Sequence, residues 1–248
     1  MIGLFKKKKT AVTGDEVTSA DFKRILNPSS DFGTVEAYKS IRTNIMFSIP
    51  KQEGGKIIAV TGSIPGEGKT TTCMNLAITF AQTGAKVIVV DCDLRKSRVH
   101  RYFMLDRSPG VTNVICGYNK LSDCIRKNVK DNLDCLTAGE EPSNPAELLE
   151  TDVFSDMVKE LAKEYDYIFI DTPPMTVVTD AAVVIRNCTG VVAVARENYT
   201  TFDALDVTVA GIKRTGTKFI GIITIGQAKK RGKYGYYKYG NDERYGYR

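Results

Sequence analysis

The sequence predicts an α/β fold built on a mostly parallel central sheet with helices on both faces. Apolar runs of strand length recur at 57–61, 86–90, 133–137, 167–170, 190–195 and 219–225, separated by helix-like segments. The runs are nearly continuously apolar rather than alternating, as strands covered on both faces are. A glycine-rich segment, Ser63 to Thr72, follows the first run directly and leads into a helix-like stretch. At 248 residues and 42% hydrophobic content, one large domain is the expectation.

Taken in order, residues 1–34 mix Gly, Pro, Ser and charge and read as an N-terminal arm. Residues 35–226 hold the folded domain, with helices expected at 35–48, 70–82, 145–164, 177–187 and 203–214. Asn144 before Pro145 reads as cap and first residue of the third helix. Residues 227–248 lack any core-forming pattern and read as a flexible tail. No internal repeat is present.

Composition narrows the function classes. None of the six cysteines forms a C-x-x-C pair, and the single histidine, His100, cannot complete a common zinc site with them, so reduced thiols are expected. The basic run Lys6 to Lys9 is not followed by an apolar stretch of signal-peptide or membrane-spanning length, so any membrane association is expected to be peripheral. The net charge is +6: Lys6 to Lys9 supply four, and residues 229–248 carry seven basic against two acidic residues, leaving the remainder at −3. A mildly acidic globule with two basic ends argues against a nucleic-acid groove across the fold, while the ends suit an anionic membrane surface or an acidic protein.

The motif SIPGEGKTTT at 63–72 has the order strand, glycine-rich loop, helix that holds nucleotide phosphates. Gly66 and Gly68 let backbone N–H groups turn inward around an anion, Lys69 can reach the β- and γ-phosphates, and the Thr70 hydroxyl can ligate magnesium. The candidate nucleotide-binding residues are Pro65, Gly66, Glu67, Gly68, Lys69, Thr70 and Thr71, with ATP and magnesium as the implied ligands. One departure stands out: the usual pattern opens on glycine six residues before the lysine, and here that place holds Ser63, with Gly62 one step earlier.

Two carboxylate sites follow apolar runs, at the ends of strands where open α/β sheets gather ligands. In VIVVDCDLR, residues 87–95, Asp91 ends the run with Asp93 and Arg95 two and four residues on; an extended segment would put the two aspartates on one side. Adjacent carboxylates repel unless a cation is near, which a magnesium nucleotide would supply. In YIFIDTPP, residues 167–174, Asp171 stands where a magnesium-organising acid belongs. Six of the twelve tyrosines, Tyr234, Tyr236, Tyr237, Tyr239, Tyr245 and Tyr247, fall in the last fifteen residues among glycines and basic residues. Such a segment suits insertion into another molecule's active site, or stacking on single-stranded nucleic acid. Glu36, Lys39 and Arg42, spaced three apart, share one helical stripe, for which an intrahelical ion-pair ladder suffices.

Together PGEGKTT, D-C-D-L-R and I-D-T-P-P resemble the bacterial tyrosine kinases, P-loop enzymes that regulate capsule and exopolysaccharide synthesis. Glu36-Ala-Tyr-Lys39-Ser-Ile-Arg42 is similar to their E-x-x-R-x-x-R oligomerisation motif, and SNPAELL at 143–149 and the tyrosine tail extend the resemblance over nearly the whole chain. Partition and septum-positioning ATPases share the motif order but carry a further lysine where this chain has Ile64. The resemblance implies a P-loop NTPase fold of the partition-ATPase type, ATP and Mg2+ as cofactors, and autophosphorylation of the tail tyrosines in trans. It implies Asp91 against the acceptor hydroxyl, Asp93 and Asp171 organising magnesium, and Lys69 on the phosphates; Arg95 is a candidate for positioning the aspartates or the acceptor. It further implies a homo-oligomeric ring through Glu36, Lys39 and Arg42, and a membrane adaptor of the polysaccharide co-polymerase type that keeps a cytoplasmic protein at the inner face of the plasma membrane. A cognate phosphotyrosine phosphatase and protein substrates such as sugar-nucleotide enzymes complete the implied partners, with nucleic acid not expected. A partition-type ATPase and a non-catalytic nucleotide-binding scaffold are the competing functions.

Overall fold

The structure, a computed structural model, describes residues 24–49 and 53–226. Helix α1 (Phe32–Ser48) precedes strand β1 (Lys56–Gly62), helix α2 (Lys69–Ala81) and strand β2 (Val87–Asp91). Three short helices follow, α3 (Val99–Tyr102), α4 (Val111–Ile115) and α5 (Leu121–Cys124), then strands β3 (Ile125–Lys130) and β4 (Leu133–Leu136). Helices α6 (Pro145–Leu149) and α7 (Asp152–Glu164) lead to β5 (Tyr167–Asp171), α8 (Asp180–Ile185), β6 (Gly190–Arg196), α9 (Phe202–Arg214) and β7 (Lys218–Ile225).

The seven strands form one sheet in the order β3-β4-β2-β5-β1-β6-β7. All neighbours pair in parallel except β3 with β4. The α/β expectation with helices on both faces holds, and the alternation of side chains shows how. Ile58, Val60, Val87, Val89, Phe169, Val192 and Val194 point to the face covered by α1 and α2. Their neighbours Ile88, Val90, Ile168 and Ile170 point to the face covered by α7, and Ala59, Val191 and Ala193 to the patch under α8 and α9. Phe80 of α2 centres the first layer, packed edge-on against Phe169 at 5.0 Å between ring centroids and tilted against Tyr167 at 4.5 Å.

The six apolar runs are all strands, and four features correct the sequence reading. The helix expected at 145–164 is two helices: Thr151 leaves helical geometry and its hydroxyl accepts a bond from the Phe154 N–H, capping α7 afresh. Asn144 places Pro145 at the helix start, but its side chain donates to Glu147 Oε2 at 3.2 Å rather than capping the backbone. The helix expected at 177–187 is confined to Asp180–Ile185. The antiparallel edge strand β3 had no counterpart in the sequence reading.

The last residues of the segment read as an arm pack on the domain. Ile25 and Leu26 are buried against α2. Asn75 of α2 fixes this approach from both ends of its amide: its Oδ1 accepts the Leu26 N–H at 2.8 Å and its Nδ2 donates to the Arg24 carbonyl at 2.9 Å. Replacing Asn75 by Ala removes the acceptor of the buried Leu26 N–H, and an unsatisfied buried group costs about 1–3 kcal/mol. The Asn75→Ala protein is expected to lose stability in that range, measured by urea unfolding, while Asn44→Ala on the exposed face of α1 leaves it unchanged.

Candidate active site

Gly62, the last residue of β1, has no room for a side chain: a Cβ there would collide with the Glu67 carboxylate and the Val194 carbonyl. The chain then turns through Gly66 and Gly68 with φ of +87° and +93°, conformations that glycine adopts without strain. Ser63, in the place usually held by glycine, is fully buried, and its hydroxyl accepts a 2.9 Å bond from Thr208 of α9. Glu67 is buried as well; Oε2 accepts the Ile64 N–H at 3.1 Å and Oε1 accepts the Thr200 hydroxyl at 2.6 Å. Of the loop residues predicted to hold nucleotide, Glu67 therefore turns its side chain into the protein and offers only backbone outward.

Helix α2 starts at Lys69, which aims its positive end at the loop's hollow. The Lys69 ammonium is nearly buried and donates to the Ile64 carbonyl at 3.2 Å. Burial pulls its pKa below the ordinary lysine value, and Asp171, Glu67 and Asp93 oppose that shift. The Thr71 hydroxyl stands 3.4 Å from the Tyr102 hydroxyl.

Strand register supplies the carboxylates. In the β2–β5 ladder Asp91 lies opposite Asp171, and in the β1–β5 ladder Asp171 lies opposite Val60. Both aspartates are buried. Asp91 is tied to the chain that follows it, accepting the N–H groups of Asp93 and Val99 at 3.2 Å each. The strand ends there, so Asp91 and Asp93 are not successive residues of an extended segment: Asp93 is partly exposed in the turn and its Oδ1 accepts the Lys96 N–H at 3.0 Å. Neither Asp171 oxygen has a hydrogen-bond partner, although the Thr70 hydroxyl lies close enough to favour the ionised form. Burial raises Asp171 to about 7, with the Asp93 charge adding to it. Burial and the Asp171 charge push Asp91 well above the carboxylate range, and burial raises Asp93.

Two buried, unpartnered carboxylate oxygens beside a lysine and a helix-start threonine fit a magnesium ion shared with nucleotide phosphates. Among the described residues no three His, Cys, Asp or Glu side chains form a metal-binding group by themselves.

Arg95 points elsewhere. Its guanidinium grips Asp180 at the start of α8 in a two-point pair, 2.7 and 3.1 Å, and Asp180 is fully buried. On α1, Glu36 and Lys39 pair at 2.8 Å with side chains 44% and 45% exposed, while Arg42 donates across to the Thr79 carbonyl of α2 at 2.6 Å. The six tail tyrosines and Lys6 to Lys9 lie outside the described residues.

The family model described as an AAA domain matches residues 55–218. The chain is 37% identical over 204 residues to the tyrosine-protein kinase YwqD of Bacillus subtilis, covering 82% of this chain and 85% of that protein. The chain belongs to the bacterial tyrosine-protein kinase family. It is a protein-tyrosine kinase with a P-loop nucleotide fold. It is also 34% identical to the putative tyrosine-protein kinase CapB of Staphylococcus aureus, over 84% of this chain and 90% of that one. The kinase domain of the Escherichia coli tyrosine kinase ETK superposes with a TM-score of 0.79 at 31% identity, covering 89% and 85% of the two chains. Of the longer wzc kinase of Salmonella typhimurium the chain spans 29%. The septum site-determining protein MinD of Pyrococcus horikoshii, 24% identical with a TM-score of 0.60, shares the fold.

Three features of the kinase site escaped the sequence reading: the Arg95–Asp180 pair, the inward turn of Glu67, and the segment from the last residue of β6 onward that presses Arg196, Tyr199 and Thr200 on the phosphate loop. Each depends on contacts across 85 to 134 residues of chain, and spacing carries no such information.

The raised Asp171 pKa has a consequence for stability. In the unfolded chain an aspartate titrates near ~3.9, so between that value and about 7 the folded state holds a proton the unfolded state has released. Stability contributed by the protonated carboxyl is complete below the unfolded value and is lost as pH rises through the folded one. Asp171→Asn is therefore expected to melt higher than the parent at pH 8 without nucleotide and to show a smaller difference at pH 4.5, measured by calorimetry.

Proposed function

We propose that this kinase uses magnesium ATP to phosphorylate the tyrosines of its own C-terminal segment, Tyr234, Tyr236, Tyr237, Tyr239, Tyr245 and Tyr247, in a neighbouring copy, and that this cycle regulates capsule or exopolysaccharide synthesis. The observation that carries the reading is the buried pair of unpartnered Asp171 oxygens beside Lys69 and Thr70. Phosphoryl transfer asks little covalent chemistry of a protein; it needs an aligned acceptor and neutralised charge. Lys69 and the inward N–H groups hold the β- and γ-phosphates. Thr70 and Asp171 are the residues that would hold a magnesium ion, which would supply charge neutralisation during transfer.

The acceptor phenol, with a pKa of about 10, needs a group to take its proton. Asp91 has no exposed surface and is occupied by two backbone N–H groups, so Asp93, partly exposed and raised by burial, is our choice for contacting the acceptor hydroxyl. Asp91 then holds the 92–99 turn in place. Arg95 supports that turn from outside through Asp180 rather than by touching the acceptor.

Assembly into a ring is supported by the exposed outer face of α1, where the Glu36–Lys39 pair is accompanied by Phe32 and Phe47, 78% and 85% exposed. A membrane adaptor that holds the kinase at the inner face of the membrane is part of the proposal; among the described residues no helix is long and apolar enough to cross one. A phosphotyrosine phosphatase and sugar-nucleotide enzymes as further substrates complete the proposal.

The test is incubation of the purified protein with magnesium ATP and a soluble adaptor peptide, with phosphate mapped by mass spectrometry. Phosphotyrosine confined to residues 234–247, falling at least ~100-fold in Lys69→Met and in Asp171→Asn, is the expected result. Hydrolysis to free phosphate with an unmodified tail would move the assignment to a partition-type ATPase, and the absence of both activities to a scaffold. Three phosphates, each adding about −1.5 to −2 charges, bring the net +5 of residues 229–248 to about zero and four reverse it, so phosphorylated protein is expected to elute as smaller assemblies in light-scattering chromatography.

A further inference from the structure

We infer that Tyr199 is a positioning residue of the phosphate loop, whose hydroxyl holds a loop carbonyl outward and thereby sets the affinity for nucleotide. The inference rests on the reading that the loop binds ATP.

The last residue of β6 and the loop after it meet three successive residues of the phosphate loop. The Tyr199 hydroxyl donates to the Pro65 carbonyl at 2.9 Å, the Arg196 guanidinium donates to the Gly66 carbonyl at 3.3 Å, and the Thr200 hydroxyl donates to the Glu67 carboxylate at 2.6 Å. These contacts brace one another. The Arg196 guanidinium lies over the Tyr199 ring at 5.2 Å, and the Arg196 N–H donates to the Thr200 hydroxyl at 2.8 Å.

Peptide planarity makes this bracing consequential. A carbonyl and the N–H that follows it belong to one rigid trans unit and point in opposite directions. Holding the Pro65 carbonyl outward turns the Gly66 N–H to the other side, and holding the Gly66 carbonyl does the same for the Glu67 N–H. Those are N–H groups on which a phosphate-binding loop depends. Gly66, at φ +87°, has no Cβ to fix its conformation, and a Cβ there would stand 3.0 Å from the Tyr199 hydroxyl. The glycine that lets the loop turn thus also leaves it free to turn otherwise, and Tyr199 selects the binding-competent form. Tyr199 itself is 47% exposed, so this contact, rather than core packing, is what its hydroxyl contributes.

A protein whose competent state is only partly populated binds with its affinity reduced by that fraction. Tyr199→Phe removes the hydroxyl and keeps the ring under Arg196. Binding of a fluorescent ATP analogue to the full-length protein, steady-state kinetics on a tyrosine polymer and the melting temperature together read the effect. Expected for Tyr199→Phe are a Kd and a KM for ATP about three- to ten-fold higher with kcat within about two-fold, the pattern of lost uniform binding, and an unmoved melting temperature. Thr200→Val, which breaks the adjacent contact to Glu67, is expected to shift Kd in the same direction. An unchanged Kd in Tyr199→Phe, or a fall in kcat alone, overturns the inference. A rise in Kd that comes with a lowered melting temperature assigns the tyrosine to general stability and overturns it as well. If the parent protein itself fails to bind the analogue, the ATP reading falls first and the positioning role with it.

Discussion

Two buried carboxylates set side by side at the ends of neighbouring parallel strands are the constraint on which the rest of this site depends. Asp91 and Asp171 end neighbouring strands in exact register, and both are buried. Burying an ionised carboxylate without a partner is among the most expensive arrangements a fold can hold. The chain meets the two costs differently. Asp91 is offset by backbone N–H groups of the turn it organises. Asp171 is left without a hydrogen-bonding partner, and the nearest buried cationic group, Lys69, is itself held below its ordinary pKa by burial. Such an arrangement persists where a bound cation and phosphates complete it. The same burial, with the negative aspartates adding to it, raises the thiols of Cys73 and Cys92, which keeps two cysteines at the heart of the site unreactive.

Around that pair, the phosphate loop is held from several directions. Gly62 lies tight against Val194 of β6 and the Glu67 carboxylate. The Ser63 carbonyl accepts the Thr176 hydroxyl at 2.6 Å from the turn beyond β5, and the Ser63 hydroxyl accepts from Thr208. Serine in place of the usual glycine is therefore accommodated by a specific partner on α9. The loop after β6 completes the enclosure. The Thr176, Tyr199 and Thr200 supports come from segments that follow the C-terminal ends of β5 and β6, where a parallel sheet places its connections together.

How much of this was legible in the sequence depended on the range over which each feature is determined. The six apolar runs are local patterns with strong physical meaning, and all six are strands, with the glycine-rich turn between β1 and α2. Strand β3 was missed because Arg126, Lys127, Asn128 and Lys130 leave no apolar run, and an edge strand needs none; its tight turn uses Asn132 at positive φ, which the sequence offers only as an isolated asparagine. The break between α6 and α7 was masked because apolar residues continue at helical spacing through it. The Thr151-Asp152 pair was a local cap signal that periodicity outweighed. Spacing offers Arg95 for positioning the neighbouring aspartates or the acceptor, whereas its ion-pair partner Asp180 lies 85 residues away on α8.

The three residues of the α1 stripe differ in how readily they could serve an interface. Glu36 and Lys39 form an exposed pair at helical spacing, worth about 0.2–0.5 kcal/mol, so either can exchange its partner for one on another molecule at little cost. Arg42 is partly buried and its guanidinium bonds to a carbonyl near the C-terminal end of α2, where a cation is favoured by the helix dipole and where a charged hydrogen bond contributes about 1.5–3 kcal/mol. Withdrawing it to meet a neighbour would cost several times what releasing Glu36 or Lys39 costs. In the assembly proposed above, polar contacts through this face would come from Glu36 and Lys39 and apolar contacts from Phe32 and Phe47. Arg42 then acts within the chain, fixing α1 to the helix whose opposite end begins at Lys69.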